Sequence, residues 1–201
     1  PPITGRDKIK SGSKHHAFYS TGEMVANYAS LHFHQLLENK KIFFNKRKVD
    51  THDPFKEYEG SKIFEDIKIK TPNNNMIEIS GILFPRENNF NTSDEYQEFG
   101  TYMGWLKAQG IYIYREGRLI DKGEWFGMSS NKKIWYIEER YKRCRIKINY
   151  SANDDDLFTP NVAKTRSMIP HSIKHELKRY CENIRIEATK RSHKPNNDNS
   201  F

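Results

Sequence analysis

QGIYIYREGRLIDKGEWFGM, residues 109–128, is the stretch on which the fold class turns. Ile111 and Ile113 precede the dipeptide Glu116-Gly117, Leu119 and Ile120 follow it, and Tyr112 and Tyr114 alternate with the aliphatics. Period-two alternation on both sides of a glycine-containing turn predicts a β-hairpin. Arg115 and Arg118 flank the turn, giving an apolar strand pair a cationic tip.

Strands extend outward from this hairpin in both directions. Ile63, Ile67 and Ile69 alternate within 61–71, and Met76, Ile77, Ile79, Ile82 and Phe84 mark a second strand. The turn-rich link Thr71-Pro72-Asn73-Asn74-Asn75 joins them as an antiparallel pair. On the other side lie a short strand at 134–136 and a longer one at 144–150. In the longer strand, Arg145, Lys147 and Asn149 alternate with Cys144, Ile146, Ile148 and Tyr150. Near the start, 41–45 reads as a strand that turns back towards Val49. Residues 85–100 read as a long exposed loop with one helical turn near 93–99.

Helical signals sit at the two ends. Met24, Tyr28, Leu31, Leu36 and Leu37 recur mostly at three- and four-residue steps after Ser20. After Pro170, the residues Ile173, Leu177, Cys181, Ile184 and Ala188 form one apolar stripe, with Lys174, Lys178, Arg179, Arg185 and Lys190 on the remaining faces. Strands segregated from helices imply an α+β fold, a mostly antiparallel sheet with helices packed on one face. Residues 20–190 are expected to form that domain, 1–19 a linker and 191–201 a flexible tail.

Composition restricts the function classes. The 201 residues are 35% hydrophobic and 13% aromatic, which argues against disorder, and the net charge of +8 favours polyanionic partners. Cys144 and Cys181 have no metal-ligand spacing and read as reduced thiols of an intracellular, cytoplasmic protein. No apolar run approaches the length of a membrane span, so no membrane partner is expected. A first residue of Pro1 reads as a fragment or a processed product.

No metal site is expected. His15-His16 lack nearby ligands, and His32 and His34 would point to different faces of a helix. The adjacent carboxylates of Asp154, Asp155 and Asp156 diverge and read as a solvated turn or helix cap.

Nucleotide-binding loops of the Walker type, G-x-S-x-G and H-E-x-x-H are all missing from the chain. Lys164 does stand out: it follows a loop at 157–163, and Thr165 and Arg166 extend its polar, cationic character. A lysine so placed is a compact cation suited to a terminal phosphate.

Two other readings have sequence support. Arg115, Arg118, Lys142, Arg143 and Arg145, interleaved with Tyr112, Tyr114, Tyr136 and Tyr141, have the composition of a stand-alone nucleic-acid-binding module. The apolar stripe of the last helix would alternatively serve a structural dimerisation domain.

The succession QGIYIYREGRLI, GEWFGM, RIKINY, DDDLFTPNVAKTR and SMIP before a helix resembles the second, transducer domain of GHKL-type ATPases, the superfamily of gyrase B, MutL, MORC proteins and histidine kinases. The similarity is strongest to the MutL- and MORC-like bacterial ATPases found beside defence and restriction genes. The segment KIFFNKRKVDTHDPF resembles the start of the same domain, so about residues 20–190 are covered. Residues 113–119 match a strand of the type FVNGR, and 161–164 a loop of the type NVHPAK, here without the His-Pro pair.

The resemblance implies a ribosomal-S5-like fold in which Lys164 reaches the γ-phosphate of ATP, with Thr165 beside it. It further implies ATP and Mg²⁺ held by a GHKL ATP-binding domain in cis or in trans, movement or closure of a homodimer, and action on DNA. The D-x-G-x-G motif of that ATP-binding domain does not occur in this sequence, so the chain alone is not expected to hydrolyse ATP.

Overall fold

A computed structural model describes residues 21–44, 46–158 and 169–192, with side chains described through Lys190. The chain divides into two compact units, Pro1–Asp53 and Pro54–Phe201.

In the first unit, residues 21–32 form helix α1, and α2 (His34–Asn39) follows after a break at Phe33. Strands β1 (Phe43–Phe44) and β2 (Arg47–Lys48) then make a short antiparallel hairpin. Leu31, Leu37 and Val49 are buried here, together with His32 and His34. The His34 imidazole is hydrogen-bonded to the Leu31 carbonyl at 2.8 Å.

The second unit is built on a five-stranded sheet. Its strands are β3 (Lys62–Lys70), β4 (Met76–Leu83), β5 (Gly110–Arg115), β6 (Arg118–Lys122) and β9 (Cys144–Tyr150), in the spatial order β3-β4-β9-β5-β6. The two-residue strands β7 (Ser129–Ser130) and β8 (Lys133–Ile134) form a separate hairpin. All neighbours in the large sheet are antiparallel except β5 and β9, which run parallel. The fold is therefore α+β with a mostly antiparallel sheet, as the alternation patterns implied. The parallel pair at its centre was not foreseen.

Glu116 and Gly117 close the β5–β6 hairpin with positive φ angles of 47° and 81°. Positive φ at both central residues is the geometry whose twist suits a two-residue hairpin, and glycine adopts it without a Cβ clash.

Register places one face of the sheet against a long helix, α4 (His171–Ser192). Ile79 lies opposite Ile148, Ile111 opposite Ile146, and Ile113 opposite Ile148. Against this layer pack Ile173, Leu177, Cys181, Ile184 and Ala188, all fully buried. Burial of Ile173, Leu177 and Ile184 contributes about 2 kcal/mol each. Gly81 marks the close approach of helix and sheet, since a methyl group there would overlap Ile184 and Tyr180. The helix stripe thus lies against its own sheet, which leaves it covered and unavailable to a second helix.

The opposite face is covered by residues 54–60 and 84–108. This cover includes α3 (Ser93–Phe99), capped by Thr92, whose hydroxyl accepts from the Glu95 amide. Phe84, Phe90, Tyr96, Phe99 and Trp105 interlock here with Ile82, Phe55 and Tyr58. The segment 85–100, expected to be an exposed loop, is therefore anchored by buried aromatic rings.

Arg185 departs from the expected polar face of its helix. Only 7% exposed, its guanidinium lies 4.6, 4.4 and 3.7 Å from the ring centroids of Trp125, Trp135 and Tyr141. Burial lowers its pKa from the ordinary arginine value. A planar, weakly hydrated cation stacked on aromatic faces behaves here as a packing element.

Candidate functional site

Lys164 and Thr165 lie outside the described residues. The described chain ends at Phe158 and resumes at Ile169, and both of these residues are fastened. β9 ends at Tyr150, whose ring stacks on that of Phe158 with centroids 3.9 Å apart and planes 12° from parallel. Phe158 belongs to the core on the α4 side of the sheet, and Ile169, where description resumes, packs against the same core.

Between Tyr150 and Phe158 runs the acidic turn, in which each of the three aspartates has a different anchor. Asp154 is fully buried. Its Oδ1 accepts from the Thr71 hydroxyl at 2.9 Å and from the Asn75 amide at 3.2 Å. Asp155 receives a two-pronged contact from Arg115, Nε and Nη2 each donating at 2.7 Å. Asp156 accepts from the Asn73 amide at 2.9 Å, and the same amide reaches the Asn153 carbonyl at 3.1 Å.

The expected solvated turn is thus corrected at Asp154. This carboxylate is withdrawn from water and hydrogen-bonded to the turn between β3 and β4, 79 to 83 residues away in sequence.

The β5–β6 hairpin tip supplies further fastening. The Glu116 amide donates to the Tyr150 carbonyl at 2.9 Å, and the Glu116 carboxylate accepts from the Ala152 amide at 3.2 Å. The Gly117 amide donates to Asn149 Oδ1 at 3.2 Å. Two turns distant in sequence, 71–75 and 115–117, therefore converge on the segment 149–156.

Electrostatics follows the contacts. The hydrogen bond from Arg115 holds the Asp155 carboxyl below its ordinary pKa, and the reciprocal bond raises Arg115. Burial raises the Tyr150 hydroxyl at the strand end.

The five cations expected to contact nucleic acid do not share a surface. Gly110 is the parallel neighbour of Arg145 and Arg115 that of Tyr150. The hairpin tip and the start of β9 are thus roughly 17 Å apart at ~3.3 Å per residue.

Arg145, 1% exposed, donates to the carbonyls of Pro54 (2.6 Å) and Phe99, with its guanidinium over the rings of Phe84 and Trp105 at 4.6 and 5.4 Å. Arg143, 5% exposed, donates to the Phe84 carbonyl at 2.6 Å. Both assignments are corrected by burial, because a guanidinium enclosed in the protein and bonded to backbone oxygens does not meet a phosphate. Lys142 pairs with Glu139 and lies 5.9 Å from the Tyr96 ring centroid. Arg115 is engaged by Asp155, while Arg118 is exposed on the hairpin.

The positioning residues that sequence alone did not single out are Thr71, Asn73, Asn75, Glu116 and Asn149. Their one visible sign is composition, since short polar side chains that bond to backbone and neighbouring turns cluster in 71–75 and 149–156.

Among the described residues, no group of three His, Cys, Asp or Glu side chains is placed to hold a metal ion. No helix there is long and apolar enough to cross a membrane. No protein-family model and no curated protein matches the chain.

Proposed function

We propose that this chain is the transducer part of a GHKL-type ATPase, acting on DNA, in which Lys164 reads the γ-phosphate of ATP. Thr165 lies beside it, and a GHKL nucleotide-binding domain, in cis or in trans, holds the ATP and Mg²⁺. A phosphate-sensing lysine needs a defined starting position, because electrostatic stabilisation falls off steeply when the charge is misplaced by an ångström.

The observation that carries the proposal is the fastening of residues 149–158, where three consecutive aspartates, two aromatic rings and a hairpin tip hold the chain leading to Lys164. Such a root transmits movement: a pull on the lysine when the γ-phosphate is present would act on β9 and, through it, on the sheet and α4.

The test joins the chain to a nucleotide-binding domain of this superfamily and measures steady-state ATP turnover. Lys164→Ala is expected to lower turnover at least tenfold, as removal of a charge-stabilising group does. Turnover unchanged from the parent removes Lys164 from the mechanism.

A further inference from the structure

The basic hairpin of the first unit carries cation-and-aromatic chemistry on an open surface. Between residues 40 and 48 stand Lys40, Lys41, Lys46, Arg47 and Lys48, with no acid among them. All five are exposed, and among the described residues none of them forms an ion pair. The nearest acids along the chain are Glu38 and Asp50, both also exposed.

Pairing sorts the hairpin into two faces. Phe44 lies opposite Arg47, and the Val49 amide donates to the Ile42 carbonyl at 2.8 Å, so Ile42, Phe44 and Val49 share one side. That side is held: Val49 is buried, and the Phe44 ring sits where a side chain on Gly22 of α1 would go. The other side pairs Phe43 with Lys48 and carries Lys41 two residues before Phe43. Phe43 is 60% exposed. Anchoring of the inner face presents a phenyl ring between two lysines, with Lys46 at the turn, while Arg47, opposite Phe44, lies on the inner side with its head exposed.

We infer that this hairpin is a binding site for single-stranded nucleic acid. Its cations follow the phosphates, and Phe43 stacks on an unpaired base. The cations supply sequence-independent affinity through counterion release, and a flat ring with an open face supplies base stacking. On the outer face of the hairpin a single phenyl ring stands among cations, which suits stacking on a base; the other exposed apolar side chains of this unit, Met24, Val25, Tyr28 and Leu36, belong to its helices. The inference shares with the proposed function only its nucleic-acid partner and does not depend on Lys164 or on ATP.

Fluorescence anisotropy of a labelled 20-mer of thymidylate with the whole chain, titrated from 50 to 200 mM salt, tests the site. Lys41→Gln/Lys46→Gln/Lys48→Gln is expected to weaken binding at least tenfold at 0.1 M salt. The slope of log K against log salt should flatten by about 2, three contacts at ~0.7 each. Phe43→Ala is expected to weaken binding about tenfold with the slope unchanged, and Phe43→Trp to restore it.

The inference is overturned if the triple variant keeps the parent slope or if Phe43→Ala binds as the parent does. It is also overturned if phosphatidylserine vesicles, and not the oligonucleotide, capture the chain. ATP turnover plays no part in these readouts, so failure here leaves the assignment of Lys164 untouched.

Discussion

Arg145 is the residue whose replacement separates a structural from a nucleic-acid role. Its guanidinium is buried, donates to the Pro54 and Phe99 carbonyls, and lies over Phe84 and Trp105. Two charge-assisted hydrogen bonds contribute ~1.5–3 kcal/mol each, and a desolvated cation–π contact up to ~2 kcal/mol. Bringing the charge out of water offsets several kcal/mol of this. Arg145→Ala leaves two buried carbonyls without a donor and a cavity between the rings, so a net loss of about 4 kcal/mol is expected.

Urea denaturation followed by tryptophan fluorescence reads the loss directly, because Trp105 lines the same pocket. With a slope of ~2 kcal/mol per molar, the midpoint falls by about 2 M. Arg145→Lys keeps the charge but loses the planar fork, and should lie between the two. Equal midpoints for Arg145→Ala and the parent, within ~0.5 M, would refute the packing role and return Arg145 to the candidates for phosphate contact.

The fastened root makes two further expectations measurable. Asp155 has a lowered pKa because Arg115 donates to it, so its contribution is fully present above the ordinary carboxylate value of 3.8 and fades as pH falls through the lower, folded value. The stability difference between the parent and Asp155→Asn, from thermal melts, should therefore stay constant from pH 7 to pH 5 and close only below about pH 4; a difference that widens on acidification contradicts the pairing. For the buried anchor, Asp154→Ala is expected to lose about 2–3 kcal/mol and Thr71→Val about 1–2 kcal/mol. Because the two side chains share a hydrogen bond at 2.9 Å, the double variant should lose less than the sum by about 1 kcal/mol. Strict additivity would mean that the contact contributes nothing.

Strands β4, β5 and β9 were legible in the sequence because isoleucines recur at every second position and the Glu116-Gly117 dipeptide admits a tight hairpin. The stripe of α4 was legible for the same reason, at helical spacing. The parallel neighbour relation of β5 and β9 was not, since alternation says which face a side chain takes and nothing about which strand lies beside it.

Alternation also placed Arg145 on the side opposite Ile146, which is where it lies. Whether that side meets water depended on 84–108, where Phe90, Tyr96, Phe99 and Trp105 are scattered among polar residues too irregularly to announce a covering layer. The anchors of the candidate site were hidden for a related reason. Thr71 and Asp154 stand 83 positions apart, and only the pairing of β4 with β9 brings their turns together.

The root therefore has two grades of fastening with different physics. The Arg115–Asp155 pair is solvent-facing, with side chains 40% and 49% exposed, so added salt screens it. The Asp154 contacts are enclosed, and salt hardly reaches them. When salt weakens the surface pair, the buried carboxylate and the Tyr150–Phe158 stack still hold the turn. Arg115 therefore acts through position: with Asp155 it holds the turn between β9 and Phe158 from the β5–β6 hairpin, and Asp154 holds the same turn from the link between β3 and β4.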